Sequence, residues 1–417
     1  MWLKHLANKA FKSDSQRSAV SLRSSVAKRR SHLNAALCSK SVSKDIMKDW
    51  FKINSSSKKI SDKFKLLLDE QYTAERKLLG SWIEDFHVKD GLDKTVNQFQ
   101  ETFHSTFWEI YLNKVFKKSG YEVDEKIVSP DFCISKNEKK IFVEAVVSNI
   151  ARDEPKESAR TVDDIYGNND LYSIIDESIT RLYNSVCNKF ERFDNAYSHN
   201  DEVLNSPFIF AIGDYAQINY GQSYYYPLLA LLYGAYYDVD DKRADLKILC
   251  QDSFGKEYKF LENHKKKNGA NLKIGLFNDS KYSYISALIY SCTTTLGKLS
   301  SLCENHVPYD KCIVLDREIN NLEHQVLRYS KQSPDETLHD GIFVFHNPYA
   351  EKKLPDDFLN DEGVVHISYD QEIDPAITIN YAHGKGILKR RQVCMRGTEK
   401  YLIENFEDFS FVPVART

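Results

Sequence analysis

The chain has 417 residues, of which 42% are hydrophobic and 12% aromatic, enough apolar material for one large core or two ordinary ones. No apolar run approaches the roughly 18 residues that cross a bilayer, and no signal-peptide stretch opens the sequence. The eight cysteines form no CxxC pair. These features argue against a membrane span and a structural zinc site, and they predict a cytoplasmic protein with reduced thiols.

The net charge of −3 is unevenly distributed. Residues 1–65 contain sixteen Lys/Arg and four Asp/Glu, a net of +12 that leaves −15 on residues 66–417. An acidic body with a basic leader predicts either a polyanionic partner or neutralisation of the body by its own arm.

Residues 1–43 contain a single acid, Asp14, and are rich in Ser and Ala. Two interpretations of this segment are equally supported: a solvated arm without fixed structure, and a basic helix that contacts nucleic acid. A transit peptide is the third interpretation. Ser55 to Lys59 resembles a linker, so residues 1–65 are interpreted as arm and linker. The residues expected to contact nucleic acid are Lys4, Lys9, Lys12, Arg17, Arg23, Lys28, Arg29 and Arg30.

Two long helices are predicted next. The first runs from Ile60 to Leu79, and the second from about Asn97 to Lys118, where Ser119-Gly120 is a typical stop. Glu109 lies beside the apolar stripe of the second helix. That stripe consists of Phe99, Phe103, Phe107, Ile110 and Val115.

A β-hairpin is predicted after the second helix. Asp131 to Ile134 forms one strand, Ser135 to Lys140 the turn, and Ile141 to Val147 the other strand. If Ile134 faces Ile141, Asp131 lies opposite Glu144, with Cβ atoms about 4.5–5.5 Å apart. The second strand is apolar on both faces, so a carboxylate there is costly unless a shared proton or a bound cation compensates its charge.

The following segments complete the predicted layers. Ala151 to Asn169 is a long polar loop, Leu171 to Phe193 is a helix, and Pro207 to Ile212 is a third apolar strand. The tyrosines of Tyr224 to Tyr237 are expected in the core rather than stacked on nucleic-acid bases. His346 would reach a scissile phosphate only if its strand end lies near the carboxylates. The favoured interpretation is that His346 and Asn347 form hydrogen bonds with the backbone of the turn. Nucleotide-motor and zinc-protease motifs are absent from the sequence.

The order of these residues resembles the PD-(D/E)XK nuclease superfamily, which includes many restriction endonucleases. The resemblance covers Glu109 on a helix, Pro130-Asp131 at a strand start, and Glu144 thirteen positions after Asp131. It departs from the pattern at Val146, where the superfamily usually has lysine. A helix carrying Lys189-Phe190 and then a strand is a second point of similarity.

The resemblance implies an α/β fold with a three-layer restriction-endonuclease-like core and a mixed β-sheet over residues 66–215. A basic helical N-terminal extension would precede it. A C-terminal α/β region over residues 216–417 would follow, with continuation of the same sheet as one option. Asp131, Glu144 and the carbonyl of Ala145 would hold Mg²⁺, for which Mn²⁺ can substitute.

The resemblance also implies the chemistry. Glu109 would orient water or help to hold a second ion, and Lys189, or else Lys140, would replace the missing lysine. The predicted function is Mg²⁺-dependent hydrolysis of nucleic acid, DNA favoured over RNA, in prokaryotic defence against foreign DNA, with a homodimer or a defence-complex subunit as assembly options. Two alternatives stay open: a nuclease fold that binds nucleic acid without cleaving it, and an assembly protein of a defence complex.

Overall fold

The computed structural model describes residues 50–53, 59–89, 91–150, 156, 159, 170–197, 199–217, 221–303, 311–329, 334–371, 375–382 and 384–395. The basic arm of residues 1–43, with all eight of its predicted nucleic-acid contacts, lies outside this part of the chain. So do most of the predicted linker and most of the polar loop of residues 151–169.

Both long helices predicted from the sequence are interrupted. The chain instead forms α1 (Asp62–Leu68), α2 (Thr73–Glu84), α3 (Leu92–Thr102) and α4 (His104–Lys118), with a 3-10 turn at Glu70–Tyr72. The first break occurs at Asp69, whose backbone is extended and whose carboxylate accepts the N–H of Gln71. The second occurs at Phe103, which has a φ of 33°. Neither break carries Gly or Pro, so helical spacing alone did not predict them.

The described strands, in chain order, are β1 (Glu122–Val123), β2 (Phe132–Lys136), β3 (Lys139–Asn149), β4 (Phe208–Tyr215), β5 (Ala235–Tyr236), β6 (Ile248–Asp252), β7 (Glu257–Phe260), β8 (Asn263–Lys265), β9 (Asn271–Lys273), β10 (Ala287–Ser291), β11 (Lys311–Ile319), β12 (Leu322–Tyr329), β13 (Ile342–His346), β14 (Val364–Asp370), β15 (Ala376–Tyr381) and β16 (Ile387–Met395). Eleven of them form one mixed sheet in the order β1-β2-β3-β4-β10-β13-β14-β15-β6-β7-β5. The other two sheets are β12-β11-β16 and β8-β9. The predicted α/β class with a mixed sheet is confirmed, and the sheet continues well beyond residue 215.

Helices connect and cover these strands. Between β3 and β4 lie α5 (Leu171–Phe190), α6 (Phe193–Tyr197) and α7 (Asp201–Leu204), and the C-terminal half contains α8 (Tyr226–Tyr233) and α9 (Leu296–Leu302). Short 3-10 turns occur at Val239–Asp241 and Ser280–Tyr282. Because β3 and β4 are parallel neighbours, the chain must cross over between them, and α5 lies within that crossover.

Each face of the sheet has its own core, since side chains alternate across a strand. On one face Val143 of β3 packs in a cluster with Phe107 and Ile110 of α4. On the other face Phe142 packs in a cluster with Leu182 of α5. The apolar stripe predicted for the segment before the hairpin is buried, as expected. The central strands therefore have helices on both sides.

The tyrosine-rich segment belongs to the core, as predicted. Every residue of α8 is buried, and the helix ends at Gly234, whose φ is 70°. A Cβ at this position would lie 3.1 Å from the carbonyl oxygen of Leu261, so a side chain there would be both strained and crowded. Among the described helices, none combines the length and the apolar character needed to cross a membrane.

A buried ion cluster ties the C-terminal elements together. The carboxylate of Glu336 lies 2.8 Å from Nζ of Lys298 on α9, and it accepts a 2.6 Å hydrogen bond from Nε of Arg391 on β16. The side chains of all three residues are at most 1% exposed. Burial alone would raise the pKa of Glu336, but the charges of Arg391 and Lys298 outweigh it and lower that pKa to about 2.

Glu336→Gln should lower the free energy of unfolding by about 3–5 kcal/mol, because it leaves two buried cations without their counter-charge. Urea unfolding at pH 7 measures the difference. The matched control is Glu323→Gln, which removes the carboxylate that pairs with Lys389; the side chain of Glu323 is 61% exposed. That change should cost less than about 1 kcal/mol.

The same cluster sets a pH dependence. A carboxyl group whose folded pKa is lowered stabilises the fold above its unfolded pKa of about 4.3, and this stabilisation is lost as the pH falls toward 2. The gap between wild-type protein and Glu336→Gln should therefore narrow below about pH 4. A gap of the same size at pH 3 and pH 7 would contradict this account.

Candidate active site

The hairpin that carries the predicted carboxylates has the predicted register. Ile134 lies opposite Ile141, and Phe132 lies opposite Val143. Asp131, one residue before β2, is therefore level with Glu144 on β3. The turn is tighter than expected, because β2 and β3 extend to Lys136 and Lys139 and leave only two residues between them, both with positive φ. Such a turn matches the twist of paired strands.

Glu144 is held by two donors from the helices that follow β3. Nζ of Lys189 lies 2.6 Å from Oε1 of Glu144, and the Tyr197 hydroxyl donates to Oε2 at 2.9 Å. The side chain of Glu144 is 15% exposed and that of Lys189 is 40% exposed. Glu144 points to the α5 face because its neighbours in the alternation, Phe142 and Val146, belong to the core on that face. The cost of a carboxylate in this covered strand is thus offset by an ammonium and a phenol.

Asp131 has weaker compensation. Its Oδ2 accepts the backbone N–H of Ala145 at 2.7 Å. Burial, followed by the charge of Glu144, raises the pKa of Asp131 to about 6. The Ala145 N–H and the charges of Lys89 and Lys189 act in the opposite direction. Asp131 therefore holds a proton more readily than an ordinary aspartate does.

Glu109, on α4, lines a cavity that Asp131 also lines. This cavity, of about 230 Å³, is lined by Lys89 as well, together with parts of α3 and α4. Nζ of Lys89 donates to the carbonyl oxygen of Asp131, and it lies 3.4 Å from that of Pro130. Asp131 shares this cavity with Glu109 and lies opposite Glu144, which contacts Lys189. The cavity lining includes neither Glu144 nor Lys189.

Two other candidates lie elsewhere. Lys140 pairs with Glu202 at the exposed turn end of β3. His346 is three strands from Glu144, which is about 14 Å at the usual strand spacing. Phe345 faces the α5 side, so His346, the next residue, points to the opposite face of the sheet. Asn347 Oδ1 accepts the N–H of Tyr349 in its own turn, as favoured from the sequence, whereas the ring of His346 faces that of His366 instead of the turn. Neither Lys140 nor His346 belongs to the carboxylate site.

Lys89 and Tyr197 are site residues that the sequence did not indicate. Lys89 is about forty residues from the carbonyls that it contacts, and Tyr197 is 53 residues from Glu144. No local pattern links such distant positions. The only available signal was that Tyr197 follows Lys189 by eight residues, at the end of the same helical region.

The donor atoms at this site suit a hard cation. Within the described ranges, no group of three His, Cys, Asp or Glu side chains is arranged to hold a metal ion. Carboxylate and carbonyl oxygens are nevertheless the donor types that Mg²⁺ prefers, and it usually takes one or two protein carboxylates and keeps several waters. An ion bound at Glu144 would have to share that carboxylate with Lys189 and Tyr197, or displace one of them.

Neither a protein-family model, nor a curated protein, nor a solved structure matches the chain. The residues and their geometry therefore carry the functional argument alone.

Asp131→Asn should raise the free energy of unfolding in EDTA at pH 7.5 by about 1–3 kcal/mol, because the pKa of Asp131 is raised and its ionised form is the disfavoured one. A raised pKa means that the folded protein loses stability as the pH rises from about 4 to 6. The gain from the variant should therefore vanish near pH 3.5. Chemical denaturation at pH 7.5 and pH 3.5 measures the gain in the free energy of unfolding. The control is Glu125→Gln, because Glu125 lines the same cavity but is exposed.

Glu144→Gln should not stabilise the metal-free protein as Asp131→Asn does. It removes the counter-charge of Lys189 and an acceptor of Tyr197, so stability at pH 7.5 should fall or stay constant. An increase as large as that of Asp131→Asn would mean that Lys189 does not compensate Glu144.

Proposed function

We propose that the chain is a Mg²⁺-dependent nuclease of the PD-(D/E)XK kind, which hydrolyses phosphodiester bonds of nucleic acid, with DNA favoured over RNA. The observation that carries the proposal is the contact of Lys189 with Glu144. Val146, which stands in place of the usual lysine, faces the α5 side like Glu144. A lysine on α5 therefore reaches the carboxylate that a lysine at position 146 would have neighboured.

The order of elements around the site also supports a restriction-endonuclease-like core. A helix with Glu109 precedes an antiparallel pair with Asp131 and Glu144, and a crossover with Lys189 leads to the parallel strand β4. Helices on both faces of these strands agree with the three layers expected for such a core.

Each residue has a distinct role in the proposed reaction. Asp131, Glu144 and the carbonyl of Ala145 would hold Mg²⁺, which when bound lowers the pKa of a water and stabilises charge on the phosphate. Lys189 places a positive charge where negative charge develops on the phosphate oxygens. Glu109, in the cavity beside Asp131, would orient the attacking water or help to hold a second ion. Tyr197 fixes the orientation of the Glu144 carboxylate.

The resemblance suggests prokaryotic defence against foreign DNA as the setting. One observation favours a second candidate, a nuclease fold that binds nucleic acid without cleaving it: the ammonium of Lys189 can itself serve as the counter-charge of Glu144. An assembly subunit of a defence complex is the third option, and it predicts no affinity for nucleic acid.

Incubation with plasmid, linear duplex, single-stranded DNA and RNA separates these options. Wild-type protein should cleave at least one substrate with Mg²⁺ or Mn²⁺ and none with EDTA. Asp131→Ala and Glu144→Ala should abolish cleavage while the protein stays folded, and stabilisation by added Mn²⁺ should disappear. Binding without cleavage in either metal would favour the inactive fold, and no binding would favour the assembly subunit.

Lys189→Ala should lower the turnover rate by about 10²–10³ with little change in substrate affinity, because its charge acts mainly in the transition state. Single-turnover cleavage and filter binding measure the two quantities. Lys140→Ala is the matched control, since it removes a lysine of β3, the strand that carries Glu144, and this lysine pairs with Glu202 away from the site. Full activity in Lys189→Ala would remove this lysine from the mechanism.

Deletion of residues 1–43 should weaken nucleic-acid binding at low salt and leave cleavage at saturating substrate intact. Each phosphate that the arm neutralises contributes about −0.9 to the slope of log affinity against log salt on duplex DNA, so the slope should flatten. Affinities from 50 to 300 mM salt test this. An unchanged slope with altered oligomeric state would instead assign the arm to subunit or intramolecular contacts.

A further inference from the structure

The segment of residues 263–278 differs in charge from the rest of the body. It contains four lysines and no Asp or Glu, whereas residues 66–417 as a whole carry a net charge of −15. The strands β8 and β9 lie in this segment and form a two-stranded hairpin that is separate from the large sheet. A local excess of positive charge on an acidic body indicates an anionic partner.

The two faces of the β8-β9 hairpin have different chemistry. Its inner face consists of His264 and Leu272, which lie opposite each other and are buried. Because side chains alternate along a strand, the flanking residues lie on the other face. This outer face consists of two opposed and exposed pairs, Asn263 with Lys273 and Lys265 with Asn271. It therefore presents ammonium and amide groups, and it contains neither a carboxylate nor an apolar side chain.

The inner side of the hairpin is fixed to α5. Nε2 of His264 lies 3.0 Å from Oγ1 of Thr180, and Nζ of Lys266 lies 3.0 Å from Oδ1 of Asn184. Thr180 precedes Lys189 by nine residues on this helix, which corresponds to about 14 Å along the helix axis. The hairpin is thus held by the helix that carries the lysine of the proposed active site.

The lysines of the outer face have charge available for an external anion. Nζ of Lys273 lies 3.8 Å from Oδ2 of Asp279, but the two side chains are 73% and 55% exposed, and such an ion pair contributes little. Lys265 makes no ion pair within the described part of the chain. Lys267, in the turn, differs from both, since its Nζ lies 3.3 Å from Oε2 of Glu177 on α5.

We propose that the outer face of the β8-β9 hairpin binds the phosphate backbone of the nucleic acid on which the chain acts. The inference rests on the proposed nuclease function. Lysine and asparagine side chains are typical phosphate contacts, and such contacts position a nucleic acid without reading its sequence. A lipid surface fits less well, because membrane-surface segments combine basic groups with apolar side chains that enter the headgroup boundary.

Fluorescence anisotropy with a labelled random-sequence duplex tests the proposal on the full chain, in EDTA and from 50 to 300 mM salt. Lys265→Gln/Lys273→Gln should flatten the slope of log affinity against log salt by up to about 1.8, because each lost phosphate contact removes about 0.9. Affinity at low salt should fall at least about tenfold. Lys265→Arg/Lys273→Arg should retain the wild-type slope. The matched control is Lys117→Gln/Lys118→Gln in the last turn of α4, which packs on the opposite face of the sheet.

EDTA separates binding from cleavage, so the two proposals fail separately. An unchanged slope and affinity in the glutamine variant, while the wild-type protein cleaves with metal, would overturn the role of the hairpin and leave the nuclease proposal intact. A flattened slope in a protein that never cleaves would support the hairpin and count against the nuclease. Circular dichroism checks folding, and Lys265→Gln alone, with an expected change of about 0.9, replaces a double variant that does not fold. Wild-type protein that binds anionic lipid vesicles but no nucleic acid would also overturn the proposal.

Discussion

A carboxylate in a strand covered on both faces dictates the arrangement around it. Glu144 lies between Phe142 and Val146 in an apolar core, and its ionised form needs compensation that water cannot fully supply. Lys189 and Tyr197 provide this compensation. Because both come from the connection between β3 and β4, the same interaction fixes how that connection packs on the sheet. Burial and the charge of Glu144 are not fully compensated at Asp131, and together they raise the pKa of its carboxyl group.

The sequence predicted the register of the β2-β3 hairpin because the information that sets it is local. A hairpin with a two-residue turn has few registers that keep apolar side chains on the proper faces, so Ile134 opposite Ile141 followed from pattern alone. The periodicity of the sequence predicted the helix α5, and the family resemblance singled out Lys189 on it. The sequence did not indicate Lys89, because this lysine contacts backbone carbonyls, which every residue has.

Other features could not be predicted, for a related reason. The partner of β4 on its second edge is β10, whose residues are buried and apolar like those of several other strands. Nothing in such strands distinguishes one neighbour from another, and pairing is settled by packing of the whole sheet. The pairing of His346 with His366 likewise depends on β13 and β14 being parallel neighbours. The break at Phe103 serves aromatic packing, with its ring centroid 5.1 Å from that of Phe99 and 5.2 Å from that of Phe107.

The continuous sheet has a consequence for modularity. All eight residues of β4 are buried, and the strand is bonded to β3 on one side and to β10 on the other. A fragment that ended near residue 215 would expose this long apolar strand as an open edge, which readily recruits other chains and aggregates. The half that bears the carboxylates therefore cannot be exchanged between proteins as an independent cassette. Recombination that preserved the site would have to transfer the C-terminal strands with it.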